Sequence, residues 1–259
     1  MICLSVLADD KLFDILNAPT AQEMKDVREK AERGESGAQI LLGYFYAKGQ
    51  SMPQNSALAV KWYGKAAVQG IAIAQFCLAG FYEAGDGVAQ DKAKAVKLYR
   101  QAADQGYPDA EFNLGRCFQE GIGVKQNKAE ALNWYEMSAQ QGNARAQTLA
   151  GINYWHGLDV KMDKVKGLKL IREAAEQRDP GAFGCLSAAY YSGDGVKQNY
   201  VQSYVWGSLF MEIKESDLIT AYERSQMQLL MDELRQKMKP EQINEAKQLA
   251  KETNARLPK

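Results

Sequence analysis

Hydrophobic positions recur along the chain with the period of an α-helix. In one segment Ala110, Leu114 and Phe118 stand four residues apart, which places them on one stripe of a helix that we call helix A. A second segment, helix B, runs from Ala129 to Ala139, where alanines allow a close neighbour and Trp134 fills the remaining space. Together the two segments predict a unit of two antiparallel helices.

The whole pattern returns every 36 residues. The glycines at this interval are Gly49, Gly85, Gly121, Gly157 and Gly193. The other residues that keep it are Ala38, Ala74, Ala110, Ala146 and Ala182, then Tyr46, Tyr82, Phe118, Tyr154 and Tyr190, then Asn55, Asp91, Asn127, Asp163 and Asn199. We call each such set a column. This many columns with one period predict five copies of the unit, stacked as a solenoid.

Two columns predict how the helices end and begin. The glycine column follows the last turn of helix A, where a residue with positive φ commonly ends a helix, and glycine adopts that conformation without steric penalty. The column of Asn and Asp stands just before helix B. Its side-chain oxygens are expected to accept hydrogen bonds from the free N–H groups of the first turn.

The repeats are flanked by further helical segments. One helix is predicted around Leu218 to Met238, and a second begins at Pro240 with an apolar stripe of Ile243, Ala246 and Ala250. We therefore expect three regions, namely an N-terminal segment with a half-repeat capping helix (1–34), five repeats (35–212) and C-terminal capping helices (213–259).

The repeated motif resembles that of a known family. The spaced pattern Ala-Gln-x-x-Leu-Gly-x-x-Tyr, then Gly-x-Gly-Val, then Trp-Tyr-x-x-Ala-Ala-x-Gln-Gly is followed almost throughout by residues 74–106 and 110–142. It is similar to the Sel-one-like repeat, a relative of the tetratricopeptide repeat. The resemblance implies an all-α, right-handed superhelical solenoid of antiparallel helix pairs, with A helices on the concave face. It also implies a bacterial adaptor that brings other proteins together.

Columns that vary between copies indicate where a partner would bind, because the stack does not constrain them. The variable helix A columns stand at i, i+3, i+4 and i+7, which is one helical face. We predict a concave groove that binds a protein or peptide through Tyr44, Phe45, Phe81, Asn113, Arg116, Glu120, Asn153, Trp155 and His156. Aromatic and Arg side chains are frequent anchors in such surfaces. Alternatively, Phe45, Phe81 and Leu149 merely pack between neighbouring A helices.

The fourth copy departs most from the pattern. Asp159 and Arg178 replace glycines, Gly167 replaces an alanine, and Leu170-Ile171 replaces Trp-Tyr. One hypothesis is that this copy bends the superhelix and that Trp155 and His156 belong to the contact site. The alternative is neutral drift within a tolerant scaffold.

Charge and chemistry exclude several classes of function. The 32 basic and 32 acidic residues balance, which disfavours a nucleic-acid partner. The single His156 and four scattered cysteines provide no set of metal ligands, and the Gly-x-Gly segments follow a helix rather than a strand, so neither a metal nor a cofactor is expected. A His156–Cys117 pair is conceivable but unsupported, and we expect no catalysis.

The cysteines also separate the chain from one branch of the family it resembles. A cysteine-rich branch carries a disulfide in each repeat and is linked to penicillin binding and β-lactam hydrolysis. Here Cys77 and Cys185 stand in one column three copies apart, about 30 Å at roughly 10 Å per packed helix. A disulfide needs Cα atoms within about 7 Å, so β-lactam hydrolysis remains only a remote alternative.

The N-terminus leaves the compartment open. No segment approaches the roughly 20 apolar residues of a membrane span. Residues 2–8 resemble the end of a signal peptide but lack a basic region before them. We therefore expect either the bacterial cytoplasm, or the periplasm or medium if residues 2–8 are a signal remnant. The expected molecule is a monomeric interaction adaptor; the alternative is an inhibitor or immunity protein that blocks a toxin or enzyme.

Overall fold

A computed structural model describes residues 19–213 and 219–258, and it contains helices but no strands in these ranges. The segment 2–8 and Cys3, considered above, lie outside the described residues. The helices are α1 (Ala21–Glu32), α2 (Ser36–Lys48), α3 (Ser56–Val68), α4 (Ala72–Ala84), α5 (Lys92–Ala103), α6 (Pro108–Glu120), α7 (Lys128–Gln140), α8 (Ala144–His156), α9 (Lys164–Glu176), α10 (Pro180–Ser192), α11 (Tyr200–Glu212), α12 (Ala221–Lys237) and α13 (Pro240–Arg256).

Consecutive helices pack on one another in pairs, which confirms the all-α repeat fold class. Helices α2, α4, α6, α8 and α10 are the A helices, and α3, α5, α7, α9 and α11 are the B helices. The chain forms two compact units, Met1–Ala131 and Leu132–Lys259, with the boundary inside α7. Among the described helices, none is long and apolar enough to cross a bilayer.

Each unit has its own hydrophobic core. In the first unit Val27 and Ala31 of α1 pack with Leu42 and Phe45 of α2 and with Trp62 of α3. Helix α1 therefore packs against the first full copy, and its origin as a half repeat stays a prediction. In the second unit the buried side chains of α8 to α11 continue into the C-terminal helices. The buried residues contributed there by α12 and α13 are Met227, Met231, Leu234, Ala246 and Ala250.

The loops between A and B helices form as the glycine and Asn/Asp columns predicted. Gly49, Gly85, Gly121, Gly157 and Gly193 all have left-handed backbones, with φ of 68, 74, 73, 67 and 73°. Each residue of the Asn/Asp column caps the following helix through its side chain, at 2.9 to 3.1 Å. Its own N–H donates to the carbonyl oxygen of the aromatic column, as Asn55 does to Tyr46 at 2.9 Å. The Asn or Asp of each loop is thus hydrogen-bonded to both the preceding A helix and the following B helix.

Small residues set the distance between helices α8 and α9 and between α10 and α11. A Cβ atom built on Gly167 of α9 would lie 2.6 Å from the carbonyl oxygen of Gly151 and 2.6 Å from the amide nitrogen of Trp155, both on α8. In the next copy the same positions hold Ser187 and Ser203. Their hydroxyls donate to each other's backbone carbonyl oxygens at 2.9 and 2.8 Å.

Candidate protein-binding surface

The first unit exposes part of the predicted groove on its A helices. Tyr44, Phe81, Asn113 and Arg116 are half-buried, and Glu120 is exposed. These five side chains come from α2, α4 and α6. We call them the A-helix face of the first unit.

Phe45 was wrongly included in the predicted groove. Its side chain has no exposed surface and lies in the core beside Leu42 and Trp62. Cys117 and Ala189, in the same column, are also completely buried. A core column can vary in size when its neighbours change with it, so variation between copies did not indicate exposure here. Phe45 is therefore a core residue, as the alternative interpretation held, but its cluster is formed by side chains of α1, α2 and α3 and not by a neighbouring A helix.

An ion pair fixes Arg116 in the A-helix face. Its Nη2 lies 2.6 and 2.7 Å from the two carboxylate oxygens of Glu83 on α4, and the hydroxyl of Tyr99 on α5 donates to the same carboxylate at 2.9 Å. Burial disfavours the charge of the guanidinium, but the hydrogen bond to Glu83 and the negative charge of Glu83 together outweigh it, and the pKa of Arg116 is raised. Burial, followed by the Glu83 charge, raises the pKa of Tyr99.

The other edge of Arg116 faces the surface. The side chain remains 26% exposed, and Nη1 lies 3.8 Å from the carboxylate of the half-exposed Glu120. Asn113 donates its amide N–H to the carbonyl oxygen of Asp109 at 2.9 Å and turns its oxygen toward Arg116, at 3.5 Å. Arg116 is therefore a cation held in one orientation beside polar groups that can still be rearranged by a partner.

The second unit exposes two of the three residues that we predicted there. His156 is exposed and Asn153 is half-buried. Asn153 donates its amide N–H to the carbonyl oxygen of Leu149 at 2.8 Å, which is the conformation of Asn113 in the first unit. We call Asn153 and His156 the A-helix face of the second unit.

Trp155 was wrongly placed in the contact surface. Only 4% of the residue is exposed, and it belongs to the core of the second unit with Leu168 and Ile171. A bulky residue at this position is buried because α8 and α9 approach closely around it. The ring of Trp155 stacks on that of His156, with centroids 4.7 Å apart. Trp155 therefore stacks against His156 and leaves almost no surface of its own for a partner to contact.

Two departures of the fourth copy from the pattern have structural roles. Gly167 permits the contact with α8 described above. Arg178, which has φ of +65°, donates to the side chain of Asn254 at 2.7 Å, and Asn254 donates to Glu212 at 2.7 Å. Arg178 thus ties the end of α13 to the repeats. A bend of the superhelix at this copy stays a prediction.

A column of glutamines, not predicted from the sequence, fixes the loops after the A helices. Gln54, Gln90, Gln126 and Gln198 donate to carbonyl oxygens in the last turn of the preceding A helix, at 3.2, 2.9, 2.7 and 2.9 Å. In the fourth copy this position is Met162, which is 56% exposed, with Leu158 and Val165 also exposed at 48% and 81%. Glutamine recurs at this position every 36 residues in four of the five copies, so the column was visible in the sequence.

The thiols are not placed for chemistry. Cys77, Cys117 and Cys185 are free, as expected for a chain outside the cysteine-rich branch. Burial raises the pKa of Cys77 and Cys185 to about 12 and that of Cys117 to about 11, which suppresses the reactive thiolate. In the described ranges no group of His, Cys, Asp and Glu could hold a metal ion.

Comparison with known families identifies the repeats. The family model described as "Sel1 repeat" matches residues 36–71, 72–107, 108–143, 144–179 and 184–208. The chain belongs to the Sel1 repeat family. Proteins of this family are typically interaction scaffolds that bind other proteins. No curated protein matches the sequence.

Two solved Sel1 repeat structures are similar over most of the chain. A Sel1 repeat protein from Oxalobacter formigenes is 30% identical, with a TM-score of 0.73 over 93% of this chain and 97% of that one. A protective antigen present in uropathogenic Escherichia coli strains is 32% identical, with a TM-score of 0.75 over 90% of this chain. The match covers only 49% of that antigen, so this chain spans about half its length.

Proposed function

We propose that this Sel1 repeat protein is a non-catalytic, monomeric adaptor that binds a partner protein or peptide on its A-helix faces. The binding residues are Tyr44, Phe81, Asn113, Arg116 and Glu120 in the first unit and Asn153 and His156 in the second. The observation that carries the proposal is Arg116. It is held in one orientation by Glu83 and still presents a quarter of its side chain to solvent.

The physical reason is that a fixed, partly desolvated cation is an efficient anchor. An Arg whose conformation is already restricted loses little further entropy on binding, and a charge beside apolar rings is poorly screened by water. Phe81 supplies a ring on α4, the helix that carries Glu83, and Tyr44 supplies one on α2. A free surface Arg would gain less from the same contact.

The test is binding by variants with matched controls. Partners are first captured from the source cell, and the affinity of the strongest is then measured by calorimetry for Arg116→Ala and Tyr44→Ala. The controls are Arg172→Ala and Tyr222→Ala, which truncate exposed side chains of the same types on α9 and α12. We expect a loss of about tenfold or more for each A-helix variant and less than about twofold for the controls.

Two further measurements separate the outcomes. Circular dichroism of each variant shows whether its lost binding reflects lost folding. Arg116→Lys keeps the charge and shows whether the charge alone sustains binding. Equal affinities for A-helix variants and controls would refute the proposed surface.

Recovery of a single enzyme in stoichiometric amounts, with its activity suppressed, would indicate an inhibitor in place of an adaptor. Light scattering that shows a dimer would refute the monomer.

A further inference from the structure

The balanced charge of the whole chain conceals a local imbalance in the first unit. From residue 36 to residue 82 the sequence contains three lysines and no Asp or Glu. The B helices α3 and α5 together carry six cations and no acidic residue within their bounds. Acidic residues stand only at the two ends of α5, where Asp91 caps the first turn and Asp104 follows the last.

Three of these lysines are exposed on the two B helices of the first unit, and we call them the lysine strip: Lys61 and Lys65 of α3 and Lys97 of α5. Lys61 and Lys65 are one turn apart, and Lys97 holds the position of Lys61 in the next copy. On the helix surface their neighbours three and four residues away are apolar, neutral or basic. In the described part of the chain none of the three forms an ion pair.

The fourth copy shows that this arrangement is not required by the repeat. Lys169 occupies the same column as Lys61 and Lys97, but the residue four positions later is Glu173, and the two charges lie 3.9 Å apart. The corresponding positions in the first two copies are Lys65 and Gln101. The first unit therefore lacks the acidic neighbour that balances an equivalent lysine elsewhere.

One contact restrains part of the strip, and an exposed apolar residue lies at its end. The ammonium of Lys65 lies 4.3 Å from the centre of the Trp62 ring, which restrains the side chain through a cation–π interaction. Val68 follows Lys65 by three residues and is 90% exposed. The strip thus combines three unpaired cations with one apolar side chain at its end.

We propose that the lysine strip, Lys61, Lys65 and Lys97 with Val68, binds an acidic segment of a partner protein, as a second surface distinct from the A-helix faces. Helix α4 packs against both α3 and α5, so at about 10 Å per packed pair the axes of α3 and α5 are at most about 20 Å apart, and an extended chain advances about 3.3 Å per residue. A segment of about six residues with two or three carboxylates and an apolar residue therefore matches the strip. Complementary charge accelerates association and selects the partner.

A protein segment fits these observations better than a membrane or a nucleic acid. A helix that lies on a bilayer inserts an apolar face, but the apolar face of α3, with Trp62, Tyr63 and Ala66, is buried in the first unit. Nucleic-acid surfaces combine many cations with exposed aromatic rings for stacking. The strip has three cations, and Trp62 beneath it is buried.

The experiment measures binding of a defined acidic probe by the full chain. The probe is a fluorescent peptide of about eight residues, Glu and Asp with one central Leu, and its reference has Gln and Asn in place of the acids. Anisotropy is recorded at about 20 mM and about 150 mM salt. The variants are Lys61→Gln/Lys65→Gln/Lys97→Gln and, as a control with the same loss of charge, Lys169→Gln/Lys247→Gln/Lys251→Gln.

We expect the acidic probe to bind at low salt, to bind more weakly at high salt, and to lose about tenfold in affinity with the strip variant. The control variant should lose less than about twofold. Equal losses in the two triple variants, or no binding to the wild type at low salt, would overturn the proposal. So would tighter binding of anionic vesicles or of single-stranded RNA that the strip variant abolishes. The A-helix variants should leave this binding unchanged, so failure here does not bear on the adaptor function.

Discussion

Restoring the repeat pattern at Gly167 should destabilise the protein. In three other copies this position is alanine, so an alanine here looks like an improvement. Gly to Ala inside a helix gains about 1 kcal/mol from helix propensity. A Cβ on Gly167, however, would lie 2.6 Å from backbone atoms of both Gly151 and Trp155. Backbone atoms cannot turn aside as a side chain can, so α8 and α9 must separate.

The cost of the backbone overlap exceeds the gain in helix propensity, so Gly167→Ala should lower the free energy of unfolding. Overpacking of a tight contact costs about 1 to 3 kcal/mol. With three contacts at or below 3.0 Å, all to backbone atoms, we expect the upper part of that range and a net loss of about 1 to 2 kcal/mol. Gly64→Ala is the matched control, because a Cβ there meets nothing within 4 Å. It should stabilise the protein by about 0.5 to 1 kcal/mol.

The assay is urea denaturation followed by circular dichroism, with native-state hydrogen exchange to locate the change. Repeat proteins can unfold in steps, so the exchange of amides in α8 and α9 is the decisive reading. Faster exchange confined to this helix pair is expected for Gly167→Ala. If Gly167→Ala stabilises the protein as Gly64→Ala does, the close approach of α8 and α9 is refuted.

Three further predictions concern single positions. Met162→Gln should add the hydrogen bond present in the other four copies and raise stability by about 1 kcal/mol in urea denaturation; an unchanged midpoint would count against it. Asn199→Ala should remove the cap of α11 and cost about 1 kcal/mol by the same assay, whereas no loss would show that the cap is dispensable. Cys117, whose thiol pKa burial raises to about 11, should react with iodoacetamide at pH 8 much more slowly in the native chain than in urea. Equal rates would show that it is accessible.

The helices and loops were predictable because each depends on local chemistry. A glycine with positive φ and an Asn or Asp before a helix act within a few residues, so a repeated column reveals them. The capping boxes formed by Thr20 with Glu23 and by Thr220 with Glu223 are equally local, but they occur once each. The repeat period therefore does not reveal them.

The binding surface was only partly predictable, because exposure depends on the neighbours of a residue in space. Phe45 and Tyr44 are adjacent and both vary between copies, yet one is buried and the other half-exposed. Sequence spacing could not separate them. The role of Arg178 depends on Asn254, which lies 76 residues away. A repeat period of 36 residues carries no information about such a contact.

The pairs Gly151–Gly167 and Ser187–Ser203 limit how copies could recombine. A crossover after a B helix moves whole pairs and keeps each contact intact. A crossover in the loop between helix A and helix B would separate these pairs. One product places Ser203 opposite Gly151, where a Cβ meets backbone atoms. The other places Gly167 opposite Ser187, whose buried hydroxyl then lacks its partner. The unit that can be duplicated or deleted is therefore the intact helix pair, cut between copies.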